Sequence, residues 1–175
     1  MENVTEKRTV KEVKELLKVF LSDLGIEIVQ EVDRGTEWGF WIRFGSFPLI
    51  IQNPPNASYT IIALHLSVTS EQAVKRLNEI YDTGDTHTVF ELTRAFSTPI
   101  TGFSRIIARG RVTGYAVTKY IFPYHAGFSI EDFDVALQAV VSVGALGVSY
   151  LKTLVSEVDL EHCPITPPPS LLGGK

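Results

Sequence analysis

One cysteine and one methionine in 175 residues leave little room for redox or thiol chemistry. Cys163 alone excludes an intrachain disulfide and fits a reducing compartment. It precedes a proline with no activating neighbour, so it is expected to be inert. Histidine is sparse too, at four. His65, His87, His125 and His162 lie far apart, and the adjacent His162-Cys163 pair lacks the spacing of a zinc site. No phosphate-binding glycine loop, dinucleotide fingerprint or nucleophile elbow is present. The sequence therefore predicts no catalytic residue, no metal and no cofactor. Asp82, Asp85 and His87 bracket a glycine turn, where an acid, a base and an orienting group can be imagined. Such residues are also common in exposed turns, and an exposed turn is expected here. The opening MENVTEKRTVKEVKE carries charge where a signal peptide would have an apolar core. A cytoplasmic protein is expected, and the sequons at Asn3 and Asn56 are read as chance.

Charge of one sign is also in short supply. The formal net charge is −4, so bulk electrostatics draw the chain to neither nucleic acid nor an anionic membrane. Residues 86–125 are the local exception, where Arg94, Arg105, Arg109, Arg111 and Lys119 stand against Glu91 alone.

What the chain does have is apolar periodicity. Val10, Val13, Leu16, Leu17, Phe20, Leu21 and Leu24 form one helical stripe from Thr9 to Leu24, with a Thr9/Glu12 capping box and a Gly25 stop. Ile26, Ile28 and Val32 predict a strand, although Val29 breaks its alternation. Asp33-Arg34-Gly35 supplies a turn into Trp38–Phe44. On that strand Trp38, Phe40, Ile42 and Phe44 share the core face, and Gly39, Trp41 and Arg43 share the other. Trp41 is either covered by a helix or loop or exposed as an interface aromatic. Phe47–Gln52 is a short strand. Tyr59–Val68 is apolar on both faces, which predicts a central strand and a packed His65. A helix follows from Thr69 to about Tyr81, and Thr86–Phe96 then suits a short helix slightly better than a strand. A second hairpin joins Phe103–Arg109 to Val112–Phe122 at Gly110.

The last long stretch, Phe128 to Glu157, organises the rest. Ser129 and Asp132 close a capping box, Phe128 and Phe133 staple the entry, and no charge occurs from Val135 to Leu151. A helix so apolar must be covered on most of its surface. Gln138, Ser142, Gly144, Gly147 and Ser149 dilute the run, so a buried core helix rather than a membrane span is expected. Small residues recur at Ala136, Val140, Gly144 and Val148, and two interior glycines cost about 1 kcal/mol each. Tight packing against the sheet, or against a second copy of the helix, would offset that cost.

The expected architecture is α+β. It is a twisted antiparallel sheet of five or six strands, meander plus hairpin, packed by an N-terminal, a middle and a long C-terminal helix. Residues 1–8 are expected to be loose, 9–160 to form one domain, and 161–175 to be a proline-rich tail. With Ser129-Ile130-Glu131-Asp132-Phe133 opening the closing helix after a hairpin and short loop, the chain resembles the YbjN-like and type III secretion chaperone-like group. It looks closest to uncharacterised archaeal members. The Phe47–Gln52 segment, the Thr86–Phe96 insertion and the proline tail depart from bacterial YbjN. The resemblance implies a homodimer and no catalytic residue.

Two functions are expected. The first is non-enzymatic binding of another polypeptide by a sheet face, sheet edge or apolar groove, with Trp41, Arg43, Gly144, Gly147 and Val148 at interfaces. The alternative is nucleic-acid binding by the basic hairpin through Arg105, Arg109, Arg111 and Lys119, with aromatics nearby for stacking. A homodimer and no membrane partner complete the expectation.

Overall fold

The computed structural model describes residues 7–35, 37–156 and 158–160. The proline-rich tail at 161–175 and residues 1–6 lie outside them. Helix α1 (Val10–Asp23) begins at Thr9, whose hydroxyl accepts from the Glu12 N–H at 3.3 Å while its own N–H donates to the Glu12 carboxylate at 2.7 Å. The helix ends in a Schellman turn. Gly25, at φ +68°, donates to the Ser22 carbonyl, and Ile26 N–H reaches back to the Leu21 carbonyl at 2.8 Å.

Strands β1 (Glu27–Arg34), β2 (Glu37–Phe44), β3 (Phe47–Asn53) and β4 (Thr60–Val68) follow as a meander. Helices α2 (Glu71–Asp82) and α3 (Thr86–Phe96) come next, then the hairpin β5 (Gly102–Ala108) and β6 (Arg111–Ile121). Helix α4 (Ile130–Leu154) and the short β7 (Val158–Leu160) close the chain. The strands form an antiparallel open sheet in the order β1-β2-β3-β4-β6-β5, with β7 pairing β4. This is the expected α+β fold, with β4 central. Two details were not expected. Val29 sits where the β1–β2 register shifts, and it is 55% exposed. The break in alternation is thus a bulge that turns one extra residue outward. The closing helix stops at Leu154 rather than Glu157, and Val158–Leu160 returns as a strand opposite Leu66–Val68.

The described residues group into two compact units, 7–62 with 120–137 and 63–119 with 138–160. In the first, Val13, Leu17 and Leu21 of α1 are fully buried, as are Trp38, Phe40, Leu49 and Ile51 of the sheet and Phe133 of α4, to within 1% exposure. Phe20 packs its ring between Phe128 and Phe133, and Phe128 meets Phe133 at 6.4 Å as the staple requires. Ser129 and Asp132 exchange the two capping hydrogen bonds at 3.0 and 3.2 Å. Arg8 is anchored. Its N–H donates to the Tyr124 carbonyl, and its guanidinium to the carbonyls of Pro123, His125 and Ala126. A buried polar cluster sits beneath. Asn53 accepts from Tyr124 Oη at 3.0 Å and Thr60 Oγ1 at 3.2 Å, while its amide donates to the Pro54 carbonyl. Burial raises the Tyr124 hydroxyl's pKa despite these partners.

In the second unit, Leu64, Leu77, Phe96, Tyr115, Val117, Val140 and Leu151 are fully buried. The glycines of α4 make their close approach here: a Cβ on Gly144 would meet Leu64, and one on Gly147 would meet the ring of Phe96. The outer side of α4 is less covered than expected. Val135 and Leu146 are 62% and 67% exposed, and Gln138, Ser142 and Ser149 are exposed beside them. By length and composition this is the one helix among the described residues able to cross a membrane. Its inner side is nonetheless committed to Leu64 and Phe96.

The β5–β6 turn is strained at one place. Ala108 pairs with Arg111, so Arg109 and Gly110 form a two-residue loop with φ +51° and +75°. That is the type I′ geometry, which favours Asn-Gly. Arginine at a left-handed position costs about 1 kcal/mol or more. Arg109→Asn is therefore expected to raise stability by about 0.5–1 kcal/mol, read as a higher urea midpoint with unchanged slope.

Candidate functional site: the β5 edge and its cleft

Strand β5 is terminal in the sheet, so one of its backbone edges has no strand partner among the described residues. The opposite terminal strand, β1, is defended. Its sequence EIVQEVDR carries four charges, and Lys14 and Lys18 of α1 pair with Asp33 at 2.5 Å and Glu31 at 3.0 Å. Charges of this kind discourage pairing with another chain. β5 reads GFSRIIA, with one charge, and Gly102, Ser104, Arg105, Ile107 and Ala108 are all exposed. A register shift between Ile106 and Ile107 bends only its far end.

Beside this strand runs an open cleft of about 530 Å³, lined by Tyr81, Val89, Thr93, Phe103, Ser104, Arg105 and Ile107. Each wall has a local cause. α2 is capped by Ser70, whose hydroxyl accepts from Ala73 N–H at 3.1 Å, and its stripe carries Asn78 and Tyr81 inward. Asn78 acts as a surrogate strand partner. Its amide donates to the Val112 carbonyl at 2.9 Å and its carbonyl accepts the Val112 N–H at 2.9 Å. Arg111 ties the same end to Glu71 at 2.5 Å. α3 starts at Asp85, which accepts from Thr88 N–H at 3.0 Å and Thr88 Oγ1 at 2.6 Å. The Thr88 hydrogen bonds hold the Asp85 carboxyl below its usual range. Asp85 is thus the N-cap of α3.

The floor is aromatic. Phe96 stacks on Tyr115 at 4.8 Å and on Phe103 at 6.0 Å. Tyr115 is fully buried and shares a 2.7 Å hydrogen bond with the Tyr81 hydroxyl. Burial first, then Tyr81, pushes its ionisation far up, so it stays protonated. Across β5 and β6, Arg105 stands opposite Tyr115 and Phe103 opposite Val117, which places Phe103 and Arg105 on one face. The Arg105 guanidinium lies 5.4 Å from the centre of the Tyr81 ring, a cation–π distance.

The other sequence candidates fall elsewhere. Trp41 is 4% exposed, so it is covered and not an open interface aromatic. The recess beside it, shared with Gly39, Ile50 and Gln52, holds about 20 Å³, room for about one water and no partner side chain. Arg43 is exposed on β2. Gly144 and Gly147 are consumed by Leu64 and Phe96 of the same chain, and Val148 is half-buried. Within the chain these glycines of the stripe are thus packed against Leu64 and Phe96. The basic hairpin is dispersed as well. Arg111 is paired with Glu71, Arg94 lies 3.4 Å from Glu91, and Lys119 donates to the Ile100 carbonyl at 2.9 Å. Arg109 sits in the turn rather than on the strand face of Arg105. Among the described residues no cluster of histidine, cysteine and carboxylates is placed to hold a metal. Tyr81 and the cleft were missed because the pair Tyr81–Tyr115 joins distant segments and leaves no local pattern.

No family model matches the chain, and no curated protein does either. One solved structure shares the fold, the crystal structure of an uncharacterized protein from Methanothermobacter thermautotrophicus. The two superpose with a TM-score of 0.66 at 17% identity, over 81% of this chain and 97% of that one. At that identity the likeness is one of fold alone.

Proposed function

We propose that the protein is a non-enzymatic polypeptide-binding module that takes an extended segment as an added strand on β5. The observation that carries this reading is the contrast between the two terminal strands. β1 is charged and ion-paired, whereas β5 is mostly apolar, exposed and bordered by the cleft. In strand addition, backbone hydrogen bonds supply affinity and alternate side chains select the sequence. Phe103 and Arg105 face the side on which an added strand would place every second residue. The dispersed cations and the net charge of −4 give the nucleic-acid alternative no comparable support.

Amide hydrogen exchange of the full chain, with and without a pool of synthetic heptapeptides of alternating valine and threonine, tests the reading. Amides of Gly102–Ile106 should slow on adding peptide, while those of β1 stay unchanged. Protection confined to other strands, or none at saturating peptide, would sink the strand-addition reading.

A further inference from the structure

The edge of β5 is chemically marked at Arg105. Arg94 and Arg111 have carboxylates of their own, and Lys119 is held by a backbone carbonyl. Arg105 differs: it lies over the face of Tyr81, and no salt bridge to it is seen among the described residues. A cation–π contact uses none of the guanidinium's N–H donors, which stay available to a carboxylate. Apolar side chains flank the cation, with Phe103 two residues before it and Val89 and Ile107 along the same cleft.

We infer that the segment added to β5 carries an acidic side chain set against Arg105, with apolar side chains two residues to either side. This rests on the strand-addition reading above. The cation also argues against a second copy of this chain on the same edge. Two such edges paired antiparallel about Arg105 would set the two Arg105 side chains against each other, and like charges on paired strands repel.

Three heptapeptides test it on the full chain: acetyl-TVTETVT-amide and the same peptide with glutamine or lysine at the centre. Affinity is read by isothermal titration calorimetry, and placement by exchange protection of Gly102–Ile106. Wild type should bind the glutamate peptide about tenfold more tightly than the glutamine one, and the lysine peptide most weakly. Arg105→Glu, an exposed position whose change should leave the fold intact, should reverse that order. Equal affinity for all three, with protection of β5, would overturn the acidic preference and leave strand addition standing. No protection from any peptide would overturn both. Protection of β5 that grows with protein concentration alone would put a second copy on the edge and overturn the inference.

Discussion

Replacing Gly114 by alanine is expected to cost about 3 kcal/mol of stability, the largest loss from any single added methyl on the sheet. β6 lies beside β4, and a Cβ at position 114 would fall on the backbone carbonyl of Leu66, with the Ser67 Cα only 3.2 Å away. A side chain can rotate out of such a clash; a strand cannot, so the β4–β6 ladder must part. Other strand glycines give a graded control. At Gly39 the obstacle is also backbone, the Ile51 carbonyl oxygen at 2.8 Å, and a smaller displacement relieves it. At Gly102 it is the Thr118 hydroxyl at 3.1 Å, which can turn away. The urea midpoints of the three alanine variants should fall in the order Gly102, Gly39, Gly114. A Gly114→Ala protein that unfolds like wild type would mean that β6 is not pressed against β4. The sheet order would then be wrong, and with it the status of β5 as a free edge.

What the sequence made legible was whatever is decided within a few residues. Thr9 with Glu12, and Ser129 with Asp132, announce helix starts because each cap closes over one turn. Gly25 marks a stop because its positive φ suits glycine. The apolar double face of Tyr59–Val68 marked a central strand, since only a strand covered on both sides repays burying both sets. What stayed hidden depends on partners far along the chain. Small residues at Gly144 and Gly147 announce a close approach but not what approaches, and Leu64 and Phe96 take that space. Trp41 had chemical reason to be either covered or open, and its burial depends on surroundings no local pattern reveals. The run of cations around Gly110 looked like a patch because its neutralising groups, Glu71 and the Ile100 carbonyl, come from other elements. Asn53, the last residue of β3 before the turn, gives no local signal of its role. Its buried bonds to Thr60 and Tyr124 make it the pin of that turn. The candidate site was legible only as an excess of arginine. The edge and the cleft emerge from strand order, which the hydrophobic pattern does not encode.

The packing of α4 against α3 yields the other large effect. Phe96 has no exposed surface and stacks on both Phe103 and Tyr115, so it has nowhere to move if Gly147 gains a methyl. Gly147→Ala should therefore destabilise by about 2–3 kcal/mol, even though alanine gains about 1 kcal/mol of helix propensity over glycine. Phe96→Ala should cost about 3–5 kcal/mol through the cavity it leaves. Combined, the two should cost less than their sum by about 1 kcal/mol or more, because the methyl of one fills part of the void of the other. Strict additivity would mean that Gly147 and Phe96 do not touch. The glycine stripe would then be free for the second copy that its spacing first suggested. That alternative has its own signature, since an interface glycine makes the melting temperature rise with protein concentration and an internal one does not. The expected result is strong coupling with a concentration-independent melt. It would also fix the floor of the cleft, because the same Phe96 ring that excludes a side chain at Gly147 supports Phe103 on the edge strand.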